Sequence, residues 1–276
     1  MMDNNKDRTS GRPFSLLIFI MIVFGLSWPF FIIGAIIGEG LFWIYLFNSI
    51  AMIMVAVGTF LADRFVFKQG FANSGLNWGK PIHYVLVIGL AFLLYVFPAI
   101  IDSGLGYSSF LGGMSWEQLL ILMGTLIVAT IIPGFGEEFG WRGYMLPHLA
   151  EKYTPRRAVL LHSIIWWAWH IPALATGWIV LTSVSGGMVA LSIILGAAVT
   201  VFGLGVIFAY IWSRSRSLAV VSVYHAFNNG FKDSLQLAGI GLIGPISSIW
   251  SSVLMVIIGV SLLWKGSWKT LEKLKK

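Results

Sequence analysis

The sequence predicts an all-α integral membrane protein, a polytopic bundle of about eight transmembrane helices. Hydrophobic residues make up 58% of the 276-residue chain and charged residues only 11%, whereas a soluble domain carries about 25% charged residues. Several apolar stretches reach the roughly 20 residues that a helix needs to cross the hydrocarbon core of a bilayer. Lysine and arginine cluster between alternate apolar stretches, as the topology signals of a multi-pass protein do.

Hydropathy predicts eight spans joined by short connections. They cover residues 14–37, 41–61, 82–101, 116–132, 158–176, 188–212, 218–230 and 242–264. The fourth span is expected to continue as a helix to about Gly143, and the seventh is the shortest. We therefore treat residues 1–276 as a single integral membrane domain, with the motif-bearing core at about 116–230.

Charge patterning predicts how the bundle is oriented. Of the 18 basic residues, all but Arg142 and Lys232 precede the first span, follow the last, or lie in the connections after spans two, four and six. The positive-inside rule makes the basic face cytoplasmic. A multi-pass protein of the cell membrane with both termini in the cytoplasm is predicted. These basic-face residues are Lys6, Arg8, Arg12, Arg64, Lys68, Lys80, Lys152, Arg156, Arg157, Arg214, Arg216, Lys265, Lys269, Lys273, Lys275 and Lys276.

Composition also excludes several functions. The net charge of +7 is explained by topology signals, and no segment has the basic, aromatic-interleaved surface of a nucleic-acid binder, so no nucleic-acid partner is expected. The chain has no cysteine, which excludes disulfides, cysteine-ligated zinc and thiol catalysis.

Two adjacent carboxylates, Glu137 and Glu138, follow the fourth span where a membrane helix normally has none. An ionisable group costs roughly 3 kcal/mol at the bilayer midplane, so it is seldom there without a function. Glu138 and Arg142 are four residues apart and can pair on one helix face, while Glu137 points about 100° away. The neighbouring glycines are expected to leave room beside the carboxylates. A salt-bridged helix end is the structural alternative.

Two other spans carry polar residues at helical spacing. His170 follows a run of tryptophans and lies about 18 Å along the fifth span, near the membrane middle. His225 and Asn229 are four residues apart and share a face of the seventh span, about 12 and 18 Å from its cytoplasmic start. Taken alone, His170 is explained equally well as a helix cap before Pro172, and Asn229 as an interhelical hydrogen bond.

The three sets together predict one polar pocket in the cytoplasmic half of the bundle. Two carboxylates, two imidazoles and an amide on three helices are suited to proton transfer: a carboxylate base, an imidazole that orients water, and donors for an oxyanion. We expect such a site to be reached from the cytoplasmic side. Three further histidines are expected at the surface or the interface: His83, His148 and His162.

The motifs and their order resemble the CPBP family of intramembrane proteases. The motifs are Glu-Glu-x-x-x-Arg at 137–142, aromatic-x-x-x-His at 166–170 and His-x-x-x-Asn at 225–229. The family includes the CaaX prenyl endopeptidases and bacterial bacteriocin-processing and immunity proteins. One departure is Trp166, where the family usually has phenylalanine; a larger aromatic ring there reshapes the pocket without removing chemistry.

The resemblance implies a role for each motif residue. Glu137 is the expected general base that activates water, and Glu138 supports the site, with Arg142 and Trp166 as supporting residues. His170 is expected to hold the water, and His225 and Asn229 to stabilise the tetrahedral oxyanion.

A metal ion remains an alternative at this site. Glu137, His170 and His225 are possible zinc ligands, but the chain lacks His-Glu-x-x-His. A water-activating glutamate that requires no cofactor is therefore favoured, and zinc stays open.

Three functions are weighed. The leading hypothesis is an endopeptidase that cleaves a membrane-anchored peptide, prenylated or leader-bearing, within the lipid bilayer. The second is an inactive family member that binds peptides or confers bacteriocin immunity. The third is a transporter in which buried glutamate and histidine relay protons, although the paired half-chain repeats of many transporters are not found.

Overall fold

The computed structural model describes residues 13–37, 41–107, 111, 113–175, 187–239 and 245–275, and over these residues the chain is helical and contains no strand. The all-α class is confirmed. The helices are α1 (Leu16–Ile37), α2 (Leu41–Leu61), α3 (Pro81–Gly104), α4 (Trp116–Gly140), α5 (Leu146–Lys152), α6 (Pro155–Trp169), α7 (Gly187–Ser215), α8 (Leu218–Leu237), α9 (Ser247–Lys265) and α10 (Lys269–Glu272).

Each of the eight predicted spans overlaps a helix, and the polytopic bundle is confirmed. Within the described residues, five helices are long and apolar enough to cross a membrane: α1, α2, α3, α7 and the continuous helix Trp116–Lys152. Helix α9 is apolar but shorter. The predicted end at 176, the predicted start at 242, and the cations Lys6, Arg8, Arg12 and Lys276 lie outside the described residues. The membrane orientation stays a prediction.

The fifth predicted span is wrong in its length. Helix α6 ends at Trp169, and His170 closes it with a tight turn in which its N–H donates to the carbonyl of Trp167 at 2.9 Å. Pro172 explains the break, because proline has no N–H to continue the helical ladder and its ring clashes with the carbonyl of the preceding turn. A second helical stretch follows at 171–175.

Helix α4 packs against both α2 and α8. On either side of this group, α1 packs against α2 and α3 packs against α8. Helix α7 contacts α6 and α9. Two glycines make the α4–α2 contact close. A Cβ at Gly136 would lie 3.0 Å from the Cα of Ile53, and a Cβ at Gly140 would lie 2.5 Å from Cγ1 of Val55. These glycines therefore bring two helix backbones together, and the space we expected them to leave is filled by α2.

The Glu pair lies immediately before an irregular turn. Residues Trp141–Met145 form a π-helical turn between α4 and α5, a feature often found at functional sites. The turn is anchored by Tyr144, whose hydroxyl donates to Oδ1 of Asp63 at 2.9 Å. The same carboxylate oxygen accepts the backbone N–H of Gln69 and of Gly70 just after α2. This junction fixes the end of α4 against the end of α2.

Candidate active site

Glu138 and His225 are joined through a buried network. The guanidinium Nη1 of Arg142 donates to Oε1 of Glu138 at 2.9 Å, one helical turn along the chain. The same oxygen accepts Nδ1–H of His225 at 2.8 Å. All three side chains are buried. The predicted Glu138–Arg142 pair is present, and Glu138 also orients the imidazole of His225.

Arg142 lies between two aromatic rings. Its guanidinium carbon is 4.3 Å from the ring centroid of Trp166 and 4.4 Å from that of Phe208. Cation–π contacts of this kind are strongest when desolvated, and Arg142 is fully buried. Its Nε and Nη2 have no hydrogen-bond partner among the described residues. The rings and Glu138 hold a permanent positive charge next to the two carboxylates.

One carboxylate oxygen of Glu137 accepts a hydrogen bond, and the other faces the imidazole of His225. The indole Nε1–H of Trp166 donates to Oε1 of Glu137 at 2.5 Å. Oε2 of Glu137 lies 3.9 Å from Nε2 of His225, too far for a hydrogen bond and at a separation that one water can bridge. Trp166 thus fixes the carboxylate whose free oxygen faces the imidazole.

His170 and Asn229 complete the predicted set. Nδ1–H of His170 donates to the carbonyl of Trp166 at 2.7 Å, so the neutral ring presents Nε2 as an acceptor. Oδ1 of Asn229 accepts from Nδ2 of Asn228 at 3.2 Å, which leaves the Asn229 amide hydrogens available. The structure brings Glu137, His170, His225 and Asn229 into the lining of one cavity of about 610 Å³. Their catalytic roles stay predictions.

The cavity extends away from the basic face. From Glu137 it runs between the first residues of α2 and α9 and the last residues of α8, with Tyr45, Gln236 and Ser251 among its lining. The side of the membrane from which this cavity is reached stays a prediction. Glu137 follows Gly136, which is level with Met52, about 17 Å along α2 and near the middle of that helix.

Three ligand atoms lie close enough to hold a metal ion. They belong to Glu137, Glu138 and His225, and within the described residues they lie within 4.8 Å of one another. His170, predicted as a possible ligand, is not a member of this group. The set offers one imidazole, whereas catalytic zinc sites usually have two or more histidines or cysteines. The adjacent guanidinium of Arg142 already neutralises part of the carboxylate charge.

Some residues near the site were missed from the sequence. Phe208 stacks on Arg142, and its ring centroid lies 5.2 Å from that of His225. In the sequence it is one apolar residue within an apolar span, so nothing distinguishes it from a core residue. His162, expected near the surface, is fully buried, and neither ring nitrogen has a hydrogen-bond partner in the described part of the chain. His148 is buried as well. Neither side chain is exposed at the protein surface, and the alternative of placement at the membrane interface stays a prediction.

Replacing Trp166 by phenylalanine tests the contact to Glu137. A hydrogen bond to a charged group contributes about 1.5–3 kcal/mol, so any turnover that depends on this carboxylate should fall by at least about tenfold, with little change in KM. Trp167→Phe is the matched control, because the indole of Trp167 has no hydrogen-bond partner among the described residues. Equal turnover of the two variants would show that the indole does not position Glu137.

The central region of the chain resembles known proteases. Residues 117–231 match a family described as "Type II CAAX prenyl endopeptidase Rce1-like". The protein named CAAX prenyl protease 2 from Methanococcus maripaludis is 29% identical over 94 residues, which are 33% of this chain and 33% of that protein. The chain thus matches about a third of the length of this curated relative. Both matches confirm the resemblance to the CAAX protease family that the motifs predicted.

Proposed function

We propose that the chain is an intramembrane endopeptidase that hydrolyses a peptide bond with a water activated by Glu137. The observation that carries this proposal is the geometry of one carboxylate: Oε1 is held by Trp166, and Oε2 is left facing the cavity and His225. A general base must be positioned within reach of water and of the scissile carbonyl. The match of residues 117–231 to the endopeptidase family supports the same activity.

In the proposed first step, Glu137 accepts a proton from water through Oε2. His170, whose Nδ1–H is committed to the carbonyl of Trp166, accepts the second hydrogen of that water at Nε2 and so orients its lone pair. The water oxygen forms a bond to the scissile carbonyl carbon, and the carbonyl oxygen becomes an oxyanion. General-base assistance of this kind contributes about 10²–10⁴-fold to a rate.

In the proposed second step, the oxyanion collapses and the C–N bond breaks. Asn229 donates an amide hydrogen to the oxyanion, and His225, whose Nδ1 is held by Glu138, stabilises the same oxygen. One such donor contributes about 3–4 kcal/mol in well-studied enzymes. Glu137 then delivers its proton to the leaving nitrogen, which departs as an amine.

The positive charge of Arg142 offsets part of the negative charge of the two buried carboxylates in this mechanism. The site holds two buried carboxylates, and the guanidinium 2.9 Å from Glu138 supplies one fixed positive charge without any bound ion. We therefore propose that hydrolysis needs no metal. Glu137, Glu138 and His225 would be the residues to hold one, where a cation would supply Lewis-acid chemistry.

Metal independence is directly testable. We expect the purified chain to cleave its peptide at an unchanged rate after dialysis against EDTA and 1,10-phenanthroline, and metal analysis of the active sample to show no stoichiometric zinc. Loss of activity after chelation that returns with added Zn²⁺ would overturn the metal-free proposal. A known zinc endopeptidase, treated in parallel, verifies that the chelators work.

The protease proposal itself is tested in liposomes. The purified chain is reconstituted with membrane-anchored peptides extracted from its host, and the products are sequenced by mass spectrometry. New peptide termini that form only with the active chain support the proposal. Peptide binding without any cleavage would instead support the inactive, peptide-sequestering alternative.

A further inference from the structure

We infer that the basic end of the bundle contains a binding site for an anionic phospholipid, where the start of α6 meets the end of α9 and the segment 265–275. The residues that hold the lipid phosphate are Arg156, Lys265, Lys269 and Lys273. The ligand class is a phospholipid whose headgroup has a net negative charge. The inference does not depend on peptide hydrolysis, so it stands or fails separately from the proposed function.

One face of α9 is apolar and exposed along almost the whole helix. Its exposed side chains are three or four residues apart, which places them on a single helix face, and the last of them is Trp264 with 62% of its surface exposed. A membrane helix presents such a face to lipid acyl chains, which are as apolar as leucine. Tryptophan is enriched where acyl chains meet headgroups. The residues of this face are Ile249, Val253, Ile257, Val260 and Trp264.

Two cations lie directly beyond this apolar face. Lys265 follows Trp264 in the chain and is exposed. From the start of α6, Nη2 of Arg156 donates to the carbonyl oxygen of Trp264 at 2.7 Å, and its guanidinium carbon lies 5.7 Å from the ring centroid of Trp264. A guanidinium has five N–H donors in a fork that matches phosphate geometry. Arg156 is therefore held next to Lys265 at the level where lipid phosphates lie.

The segment after α9 turns back and is anchored on the end of the bundle. Nε1 of Trp268 donates to the carbonyl oxygen of Leu262 at 3.2 Å, and its ring packs edge-on against Tyr210 with 5.3 Å between centroids. Trp268 and Leu271 are both buried. Helix α10, which contains Leu271, contacts α5 and α7. These anchors hold the lysines of the segment at defined positions beside Trp264.

The exposed side of this segment is strongly basic. Lys265, Lys269, Lys273 and Lys275 are all exposed, and Glu272 is the only acidic residue in the sequence from 264 to 276. Lys269 and Lys273 are four residues apart and share a face, opposite the buried side chain between them. Each basic residue near an anionic bilayer strengthens binding by about fivefold. Such a concentration of positive charge favours an anionic partner.

The position of these charges favours a lipid over a soluble partner. An acidic peptide or a nucleic acid would pair with the lysines but leave the adjoining apolar face of α9 unused. A phospholipid has an anionic phosphate for Arg156 and Lys265 and acyl chains for the face that ends at Trp264. The apolar face and the cations thus form one continuous surface that matches both parts of the lipid.

Energy transfer to labelled lipids tests the site in the full-length chain. Because the chain has no cysteine, Ser267→Cys places a single thiol at an exposed position between Lys265 and Lys269, where a donor dye is attached. The chain is reconstituted in phosphatidylcholine vesicles that contain a trace of phosphatidylglycerol or phosphatidylcholine with an acceptor on the acyl chain. We expect phosphatidylglycerol to be enriched near the dye by at least about fivefold, the effect of one basic residue. The enrichment should largely disappear at about 1 M salt, where the screening length is about 3 Å.

Two triple variants in the same background separate a local site from net charge. K265Q/K269Q/K273Q removes three exposed cations from the proposed site and should abolish the enrichment. R64Q/K68Q/K80Q removes three exposed cations between α2 and α3 and should leave the enrichment unchanged.

Equal energy transfer to the two lipids in the parent chain would overturn the inference. Enrichment that survives in K265Q/K269Q/K273Q, or that falls equally in both triple variants, would overturn it too. Displacement of phosphatidylglycerol by excess soluble glycerol phosphate would assign these cations to a free phosphate ester and contradict a lipid site. A chain that cleaves no peptide but still enriches phosphatidylglycerol would refute the proposed function alone.

Discussion

Glu137→Gln is expected to reduce peptide cleavage by about 10²–10⁴-fold, the contribution typical of a general base. Glutamine keeps the shape of the side chain, and its Oε1 still accepts the indole hydrogen of Trp166 that lies 2.5 Å away. It cannot accept the proton of water at neutral pH. The loss should appear in kcat, and the peptide Kd should change little.

Thr130→Val is the matched control for this variant. Thr130 lines the same cavity, but its hydroxyl donates to the carbonyl of Leu126 in its own helix at 2.8 Å and has no proposed part in the reaction. Single-turnover cleavage and peptide binding are measured for both variants and the wild type in the same liposomes. Cleavage by E137Q at a rate comparable with T130V would eliminate Glu137 as the base.

Arg142→Leu is expected to destabilise the fold by about 3–5 kcal/mol, the cost of leaving a buried charge without its partner. Glu138 has no exposed surface, and its Oε2 already lacks a hydrogen-bond partner among the described residues. Without the guanidinium at 2.9 Å, the carboxylate keeps only His225. The free energy of unfolding is measured by denaturation of the chain in mixed micelles.

The double variant Glu138→Gln with Arg142→Leu separates charge from packing. Removing both charges takes away the penalty of an unpaired ion, so the double variant should be more stable than R142L. Arg157→Leu, at an exposed arginine, is the control and should lie within about 0.5 kcal/mol of the wild type. A double variant no more stable than R142L would show that packing of Arg142 against Trp166 and Phe208 dominates.

The helices could be predicted from the sequence because lipid exposure imposes long apolar runs. Spacing alone also predicted the Glu138–Arg142 pair, since residues four apart share a helix face. The break at His170 was harder to place. Pro172 indicates it, but the apolar pattern around the proline continues and favours a span that reaches 176.

Tertiary contacts account for what the sequence could not predict. Two hydrogen bonds join residues that are far apart in the chain. Trp166 donates to Glu137 across 29 residues, and His225 donates to Glu138 across 87 residues. No local pattern encodes such pairs. The direction of the cavity was also hidden, because it depends on how the helices pack around Trp141 and Tyr144, which have no exposed surface.

The buried position of Glu137 and Glu138 determines how their charges are stabilised. A carboxylate near a membrane surface would be stabilised by water, which reduces the cost of its charge. Gly136 lies level with Met52, near the middle of α2, and both glutamates are buried. The protein, through Arg142, Trp166 and His225, supplies the contacts that water would otherwise make.

The most direct test of the central claim compares membrane peptides from cells that carry the wild-type chain, E137Q or T130V. Mass spectrometry of the peptide termini detects hydrolysis even when the substrate has not been identified. We predict one or more cleaved, membrane-anchored peptides with the wild type and T130V that are absent with E137Q, while the uncleaved precursors accumulate. The same cleaved termini in all three samples would contradict a role for Glu137 as the base.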